Sequence, residues 1–218
     1  MLHNETERRG AILAYALQKN IIRLIGGINM ENPYAQFPHI ATDKVILRKV
    51  AETDIEGLFE IYHNKNVFTY IPGDIKMNKD TVKNMISHFE RDFNKRKNIV
   101  LGIYLTEAPD EIVGVAEMFE YDAKVNMITI GYRLNERYWG KGIATQAVEA
   151  MADYLFFTVG INRIQAFVMP ANQRSQKVLE KNKFVKEGIM RQSQHWKGIG
   201  VVDLIVYSLL HSDVEGKN

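Results

Sequence analysis

The spacing of hydrophobic positions changes several times along the chain, and each change marks an element. Leu13, Leu17, Ile21, Leu24 and Ile28 recur at helical spacing and predict an amphipathic helix over residues 5–28, with Gly26-Gly27 as its terminator. Residues 29–42 carry Pro33 and Pro38 among polar side chains and read as a linker. Val45-Ile46-Leu47 predicts a strand. Thr53-Asp54 then starts a helix with Ile55, Leu58, Phe59 and Tyr62, and Asn78 or Asp80 caps a second one with Val82, Met85, Ile86, Phe89 and Phe93 on one face. A meander follows: a strand over 99–105, a turn at Ala108-Pro109-Asp110, a strand over 112–119, a turn over 122–126 and a strand over 127–134. The pattern returns to helical period over 142–157 and to a strand over 163–169. Asn172 opens a helix with Val178 and Leu179 inward, and strands over 185–195 and 201–210 are joined at Lys197-Gly198-Ile199-Gly200.

This order predicts an α+β fold with a mixed, mostly antiparallel sheet. The strand ending at Leu134 and the strand ending at Met169 are joined by a helix and so run parallel. The expected organisation is an N-terminal helix and linker over 1–41, a main domain over 42–212 and a tail over 213–218. The N-terminal helix either packs on the domain or makes a homodimer contact.

Composition narrows the function. A chain of 218 residues is long enough for one full core, and a formal charge of +2 is too small to predict nucleic-acid or membrane-surface binding. No cysteine occurs, which excludes disulfides, thiolate metal sites and cysteine nucleophiles and fits a cytoplasmic protein. The six histidines show no metal-ligand spacing, so no metal is expected. No apolar run is long enough to span a membrane. The short one after Arg8-Arg9 is broken by Gln18-Lys19-Asn20, so no leader is expected either.

Candidate chemistry concentrates in the stretch from Tyr132 to Ala144. A buried strand ends there in a basic loop with Gly140 and Gly142, and the loop opens onto a helix. Glycines let a backbone approach closely, and the first amides of a helix lack internal partners, so such a turn suits phosphate. It is neither a dinucleotide fingerprint, since Thr145 stands where the third glycine is needed, nor a P-loop, since no glycine precedes at the required spacing. Both this loop and Asn172 emerge at the carboxyl ends of the parallel pair, where α/β sheets open a ligand crevice.

Arg137-x-x-Gly140-x-Gly142-x-Ala144, preceded by Ile130-Gly131-Tyr132-Arg133-Leu134, resembles the acetyl-coenzyme A signature of the GNAT acetyltransferase superfamily. Asn172-x-x-Ser175-x-x-Val178-x-Glu180-Lys181-x-x-Phe184 resembles that family's second cofactor segment. Glu187-Gly188-x-x-Arg191 with Asp203-x-x-x-Tyr207-Ser208-x-Leu210 is similar to the ending of the branch that modifies N-terminal alanines of ribosomal proteins. The resemblance spans about residues 42–212. It implies a central sheet with helices on both faces and a splayed parallel pair that receives pantetheine.

It also implies a reaction, acetyl transfer from acetyl-coenzyme A to a primary amine by direct attack, and a set of site residues. Backbone amides from Arg137 through Gly140, Lys141, Gly142, Ile143 and Ala144 would hold the pyrophosphate. The backbone of Tyr132, Arg133 and Leu134 would hold pantetheine and the thioester oxygen. Asn172 would touch the pantetheine arm or simply cap its helix. Lys141, Arg174 and Lys177 would meet phosphates or remain solvated. Many relatives carry a general-acid tyrosine where this chain has Leu179; Ser175, one turn earlier, is the substitute used in the ribosomal-protein branch. Relatives often carry a glutamate where Thr129 stands. Glu117 is then the candidate base, with a solvated sheet-face glutamate as the alternative, and strand alternation puts Glu120 on the opposite face. His195 and Trp196 are candidate acceptor contacts. Three classes of function follow: an amine acetyltransferase acting on a protein N-terminus or a small amine, a non-catalytic acyl-coenzyme A module, and an assembly role for the N-terminal helix.

Overall fold

Eight strands pair into one sheet in the computed structural model, which describes residues 32–215. In chain order the strands are β1 (Ile40–Ala41), β2 (Val45–Lys49), β3 (Asn98–Leu105), β4 (Ala108–Asp122), β5 (Met127–Leu134), β6 (Arg163–Val168), β7 (Val185–Trp196) and β8 (Gly200–Leu210). The helices are α1 (Ile55–His63), α2 (Lys79–Asn94), α3 (Ile143–Tyr154), α4 (Gln173–Lys181) and α5 (His211–Glu215). The spatial order is β1-β2-β3-β4-β5-β6-β8-β7. Among the described residues only β5 and β6 pair in parallel, joined through α3 as the crossover requires.

Period-2 alternation divides the side chains of the sheet between two cores. On one face Leu101, Ile103, Ala116, Met118, Ile128 and Ile130 pack with Ala147, Val148 and Met151 of α3 and Leu179 of α4. On the other, Ile46, Val100, Tyr104 and Val115 pack with Leu58, Ile61 and Tyr62 of α1 and Val82 of α2. The sheet thus carries helices on both faces, in the mixed α+β architecture expected.

Local chemistry sets the boundaries. Asn78 caps α2 by accepting from the Thr81 amide, and Asn172 caps α4 by accepting from the Ser175 amide at 3.1 Å. The α3 cap is Gly142 at φ 81°, with no side chain closing the helix start. After Tyr154 the backbone widens into a π-turn over Leu155–Val159 and ends at Gly160, φ 80°.

Three details differ from the sequence expectation. The β3–β4 hairpin turns at Thr106-Glu107, and Ala108-Pro109-Asp110 belongs to β4. Pro109 is tolerated because the register slips between Tyr104↔Ile112 and Leu105↔Ala108, so no ladder bond needs its missing N–H. The stretch read as a linker packs on the domain: Tyr34 is buried, Phe37 stacks on Phe93 at 3.9 Å between ring centres, and β1 pairs with β2. After β8 the chain forms the short α5 where a tail was expected. The helix expected over residues 5–28, and the homodimer contact resting on it, lie outside the described residues.

Candidate active site

The parallel pair separates soon after it forms. Met127↔Arg163, Ile128↔Ile164 and Thr129↔Gln165 are its only registered positions. Beyond them β5 stays paired to β4 through Gly114↔Leu134, while β6 stays paired to β8 through Val168↔Ile205. A gap therefore opens between residues 130–134 of one strand and 166–168 of the other. The unpaired strand margins are a row of backbone donors and acceptors, which an extended ligand can satisfy as an added strand would.

The glycine loop stands at the mouth of this gap. Gly140 and Gly142 have φ 74° and 81°, the left-handed region that glycine enters without penalty. A Cβ built on either meets nothing within 4 Å, so the space over the loop is open. With no side chain capping α3, its first amides face that space, and the helix dipole favours an anion there. The Trp139 indole donates to the Leu134 carbonyl at 3.0 Å and pins the loop to the strand end.

The cations around the loop divide into two sets. Arg137 is already paired at the surface: its guanidinium donates to Glu60 of α1 at 2.6 Å and lies 3.6 Å from Glu111. Asn135 donates to the same Glu60 carboxylate, Tyr138 donates to Glu111, and Asn64 and Asn66 donate to Glu136. These contacts tie the loop to α1 and to the turn after it, a tether that no sequence motif announced. Lys141, Arg174 and Lys177 are exposed and make no ion pair among the described residues; Lys141 lies over Tyr138 and Arg174 over Trp139. They are the cations available to an anionic ligand.

On the α3/α4 side of the gap, two hydroxyls meet. Tyr132 Oη and Ser175 Oγ are 2.8 Å apart, joining β5 to the first turn of α4. Burial pushes the Tyr132 phenol up to about 12, and the hydrogen bond to Ser175 partly opposes the shift. Leu179, in the position where many relatives carry a tyrosine, is fully buried in the core.

On the α1/α2 side, β4 and β5 present Glu117, Phe119, Thr129, Gly131 and Arg133. Glu117 is not a free carboxylate: Arg133 Nη2 donates to it at 2.6 Å, with both side chains largely buried. The Arg133 guanidinium lies 5.1 Å from the Tyr62 ring centre and 5.7 Å from that of Phe68. Burial is the largest single influence and would lower its pKa, but the adjacent Glu117 charge, the Tyr62 phenol and the hydrogen bond to Glu117 together outweigh it and raise it. The same burial carries the Tyr62 phenol up to about 12.

Glu120 departs from the alternation rule. Two residues of β4, Glu120 and Tyr121, stand opposite the single residue Ile128, and Glu120 adopts φ 54°. Tyr121 takes the core-facing place beside Ile128, and the bulge displaces Glu120. The Glu120 carboxylate then accepts from Thr129 Oγ1 at 3.0 Å, on the face that carries Glu117. The expectation that Glu120 faces the opposite side is therefore corrected. Gln165 Nε2 donates to the same Thr129 hydroxyl at 3.1 Å, so this polar chain crosses the last registered pair before the gap.

His195 and Trp196 lie at the end of β7, opposite Val201 and Gly200. They are next to the hairpin turn, where Lys197 pairs with Asp74 of the α1–α2 connection at 2.8 Å. No group of side chains able to hold a metal occurs among the described residues.

A gapped parallel pair, an open glycine turn at its mouth and paired hydroxyls beside it are features that would suit an extended, phosphate-bearing ligand. Residues 44–185, well over half of the chain, match the family described as acetyltransferase (GNAT) domain. The chain belongs to that family and is an N-acetyltransferase by kinship. It is 29% identical over 174 residues to an uncharacterised N-acetyltransferase, YoaA, of Bacillus subtilis, covering 80% of this chain and 97% of the relative. A shorter match, 36% identical over 83 residues, is to the ribosomal protein uS5 alanine N-acetyltransferase of Escherichia coli and covers 37% of this chain and 43% of that one. Among solved structures, the microcin C7 self-immunity acetyltransferase MccE in complex with acetyl-CoA and AMP superposes with a TM-score of 0.69. That pair is 23% identical, over 78% of this chain and 93% of the other.

Proposed function

We propose that the protein moves an acetyl group from acetyl-coenzyme A to the free amine of a protein N-terminus, in the cytoplasm. The observation carrying the reading is the three-position parallel pair that opens into a gap ending at the glycine loop. The gap margins would hold the pantetheine arm, the amides from Arg137 to Ala144 its pyrophosphate, and Lys141, Arg174 and Lys177 its remaining phosphate charge. When bound, the cosubstrate supplies an activated thioester. The chain's own part is to place it, to give strand-end amides to the oxygen where charge develops, and to protonate the departing sulfur. Ser175 is the proton donor, backed by Tyr132.

The protein acceptor is favoured by the partial likeness to the uS5 enzyme and by the rim of the site. Tyr70, Ile75 and Met77 on the α1–α2 connection and Ile199 and Val201 on the β7–β8 hairpin are exposed, flanking the Asp74–Lys197 contact. Apolar lips beside a polar floor suit a peptide better than a small, strongly hydrated amine. His195 and Trp196 at the hairpin would touch the acceptor.

The test is thiol release from acetyl-coenzyme A with a panel of amines: peptides with N-terminal alanine or serine, polyamines and free amino acids. Peptide turnover at least tenfold above the small amines is expected. Preference for a small amine overturns the acceptor assignment. Tight binding of acetyl-coenzyme A without turnover on any amine overturns catalysis.

A further inference from the structure

We propose that Glu120 is the general base of the acetyl transfer. The proposal rests on that reaction and assigns the proton from the acceptor to a residue that strand alternation places on the wrong face.

Three observations converge on it. First, the backbone is held in an uncommon state: a non-glycine residue at φ 54° is strained, and such outliers persist where the surroundings enforce them, often at functional sites. The enforcement is visible, because Tyr121 occupies the core place beside Ile128 and leaves Glu120 to reach the opposite face. Second, the position is at the reaction gap. Glu120 bonds Thr129, and Thr129↔Gln165 is the last registered pair before β5 and β6 part. Third, of the three carboxylates that hydrogen-bond side chains of β5 and β6, namely Glu117, Glu120 and Glu187, it is the one left without a cation. Glu117 is bound by Arg133, and Glu187 is held by both terminal nitrogens of Arg163 and by Ser208. Glu120 makes no ion pair among the described residues, is exposed, and has only the Thr129 hydroxyl as a partner.

The division of labour follows from the two faces of the sheet. Ser175 and Tyr132 lie on the α3/α4 side, where the sulfur would leave, and Glu120 lies on the α1/α2 side, where the amine would arrive. The acceptor reaches the site as an ammonium. Glu120 takes one proton from it, becoming a carboxylic acid and leaving a neutral amine. The nitrogen lone pair then forms the bond to the thioester carbon, and the carbon–sulfur bond breaks. Ser175 gives its proton to the thiolate and is restored by the second proton lost from nitrogen. Glu120, being exposed, returns its own to solvent, so each turnover releases one proton. Glu117 is the weaker candidate, since protonating it would leave the buried Arg133 without its counter-charge.

The experiment compares Glu120→Gln and Glu120→Gly with wild type, using an N-terminal-alanine peptide across pH 6–10. Both variants should bind acetyl-coenzyme A within about twofold of wild type by calorimetry. Each should lose on the order of 10²-fold in kcat/KM at neutral pH. The loss should shrink as rising pH deprotonates the amine in solution. Glycine accepts φ 54°, so Glu120→Gly should fold at least as well as wild type, and added formate should restore part of its rate by replacing the missing carboxylate. Two results overturn the proposal while leaving acetyl transfer intact: rates within about threefold of wild type, or a loss that is constant with pH and not rescued by formate. A wild-type protein that acetylates no amine overturns both this proposal and the reaction on which it rests.

Discussion

The Tyr132 and Ser175 hydroxyls lie 2.8 Å apart, one on β5 and one in the first turn of α4, and join the strand that borders the gap to the helix beside it. A serine hydroxyl alone is a weak proton donor. Joined to a phenol it becomes a better one, because the Tyr132 hydroxyl can donate a hydrogen bond to the oxygen left when Ser175 gives up its proton and hold it until the amine's second proton restores the serine. With its pKa pushed up to about 12, the phenol keeps its proton throughout the pH range of any ordinary assay. Ser175→Ala should lower kcat by on the order of 10²-fold with the affinity for acetyl-coenzyme A nearly unchanged. Tyr132→Phe should lose about tenfold, and its defect should vanish in the Ser175→Ala background. Steady-state kinetics of the two single variants and the double variant test this coupling. A Ser175→Ala rate within about twofold of wild type sets the role aside.

Glu117 and Arg133 form a different kind of pair. Their 2.6 Å contact lies under Tyr62 and Phe68 with little exposure to solvent. Removing one partner leaves the other charge buried, a loss of about 3–5 kcal/mol. Glu117→Gln should therefore shift the urea midpoint strongly, whereas Glu120→Gln should leave it nearly unmoved. The opposite ranking is expected in catalysis, where Glu120→Gln should be the more damaging to kcat. Equilibrium unfolding beside kinetics separates the two carboxylates cleanly.

The sequence carried most of the frame and little of the acid–base chemistry, for physical reasons. Runs such as residues 99–105 and 127–134 are apolar because both faces of the sheet are covered by helices, so their period and length were readable. The loop with Gly140 and Gly142 was readable because positive φ demands glycine. Glu120 was not, since alternation assumes an unbroken ladder and nothing in Phe119-Glu120-Tyr121 marks the bulge. Nor could sequence show that Glu117 is already paired, because its partner Arg133 belongs to the next strand and meets it only through register. The commitment of Arg137 to Glu60, 77 positions away in the chain, is hidden in the same way.

Glu187 offers a test on the acid side. Two hydrogen bonds from Arg163 and one from Ser208 hold its carboxyl down at about 2, below the usual carboxylate range. A depressed pKa in the folded state contributes stability that is complete above the ordinary value of 4.5. That contribution is lost as pH falls from there through about 2. The carboxylate is partly exposed, so solvent screens the pair and its contribution is small beside that of Glu117–Arg133. Glu187→Gln should flatten the dependence of stability on pH between about 4.5 and 2. An unchanged slope in urea titrations over that window would show that the fork is already open in solution.

Lys183 stands at the end of α4 in a backbone conformation that glycine favours. Its φ is 64°, the Lys183 amide donates to the Glu180 carbonyl, and the Phe184 amide donates to the Leu179 carbonyl, both at 3.0 Å. These two bonds are the ones a left-handed residue makes when it closes a helix. A lysine in that conformation costs about 1–2 kcal/mol through the contact of its Cβ with the backbone. Glycine would remove the cost, and the greater freedom of the unfolded chain would cancel part of the gain. Lys183→Gly should accordingly stabilise the protein by roughly 0.5–1 kcal/mol, raising Tm by about 1–4 °C for a domain of this size. Lys183→Ala should not stabilise, because alanine meets the same backbone contact. If alanine stabilises as much as glycine, the relief comes from removing the lysine side chain rather than from the backbone, and the strain account fails.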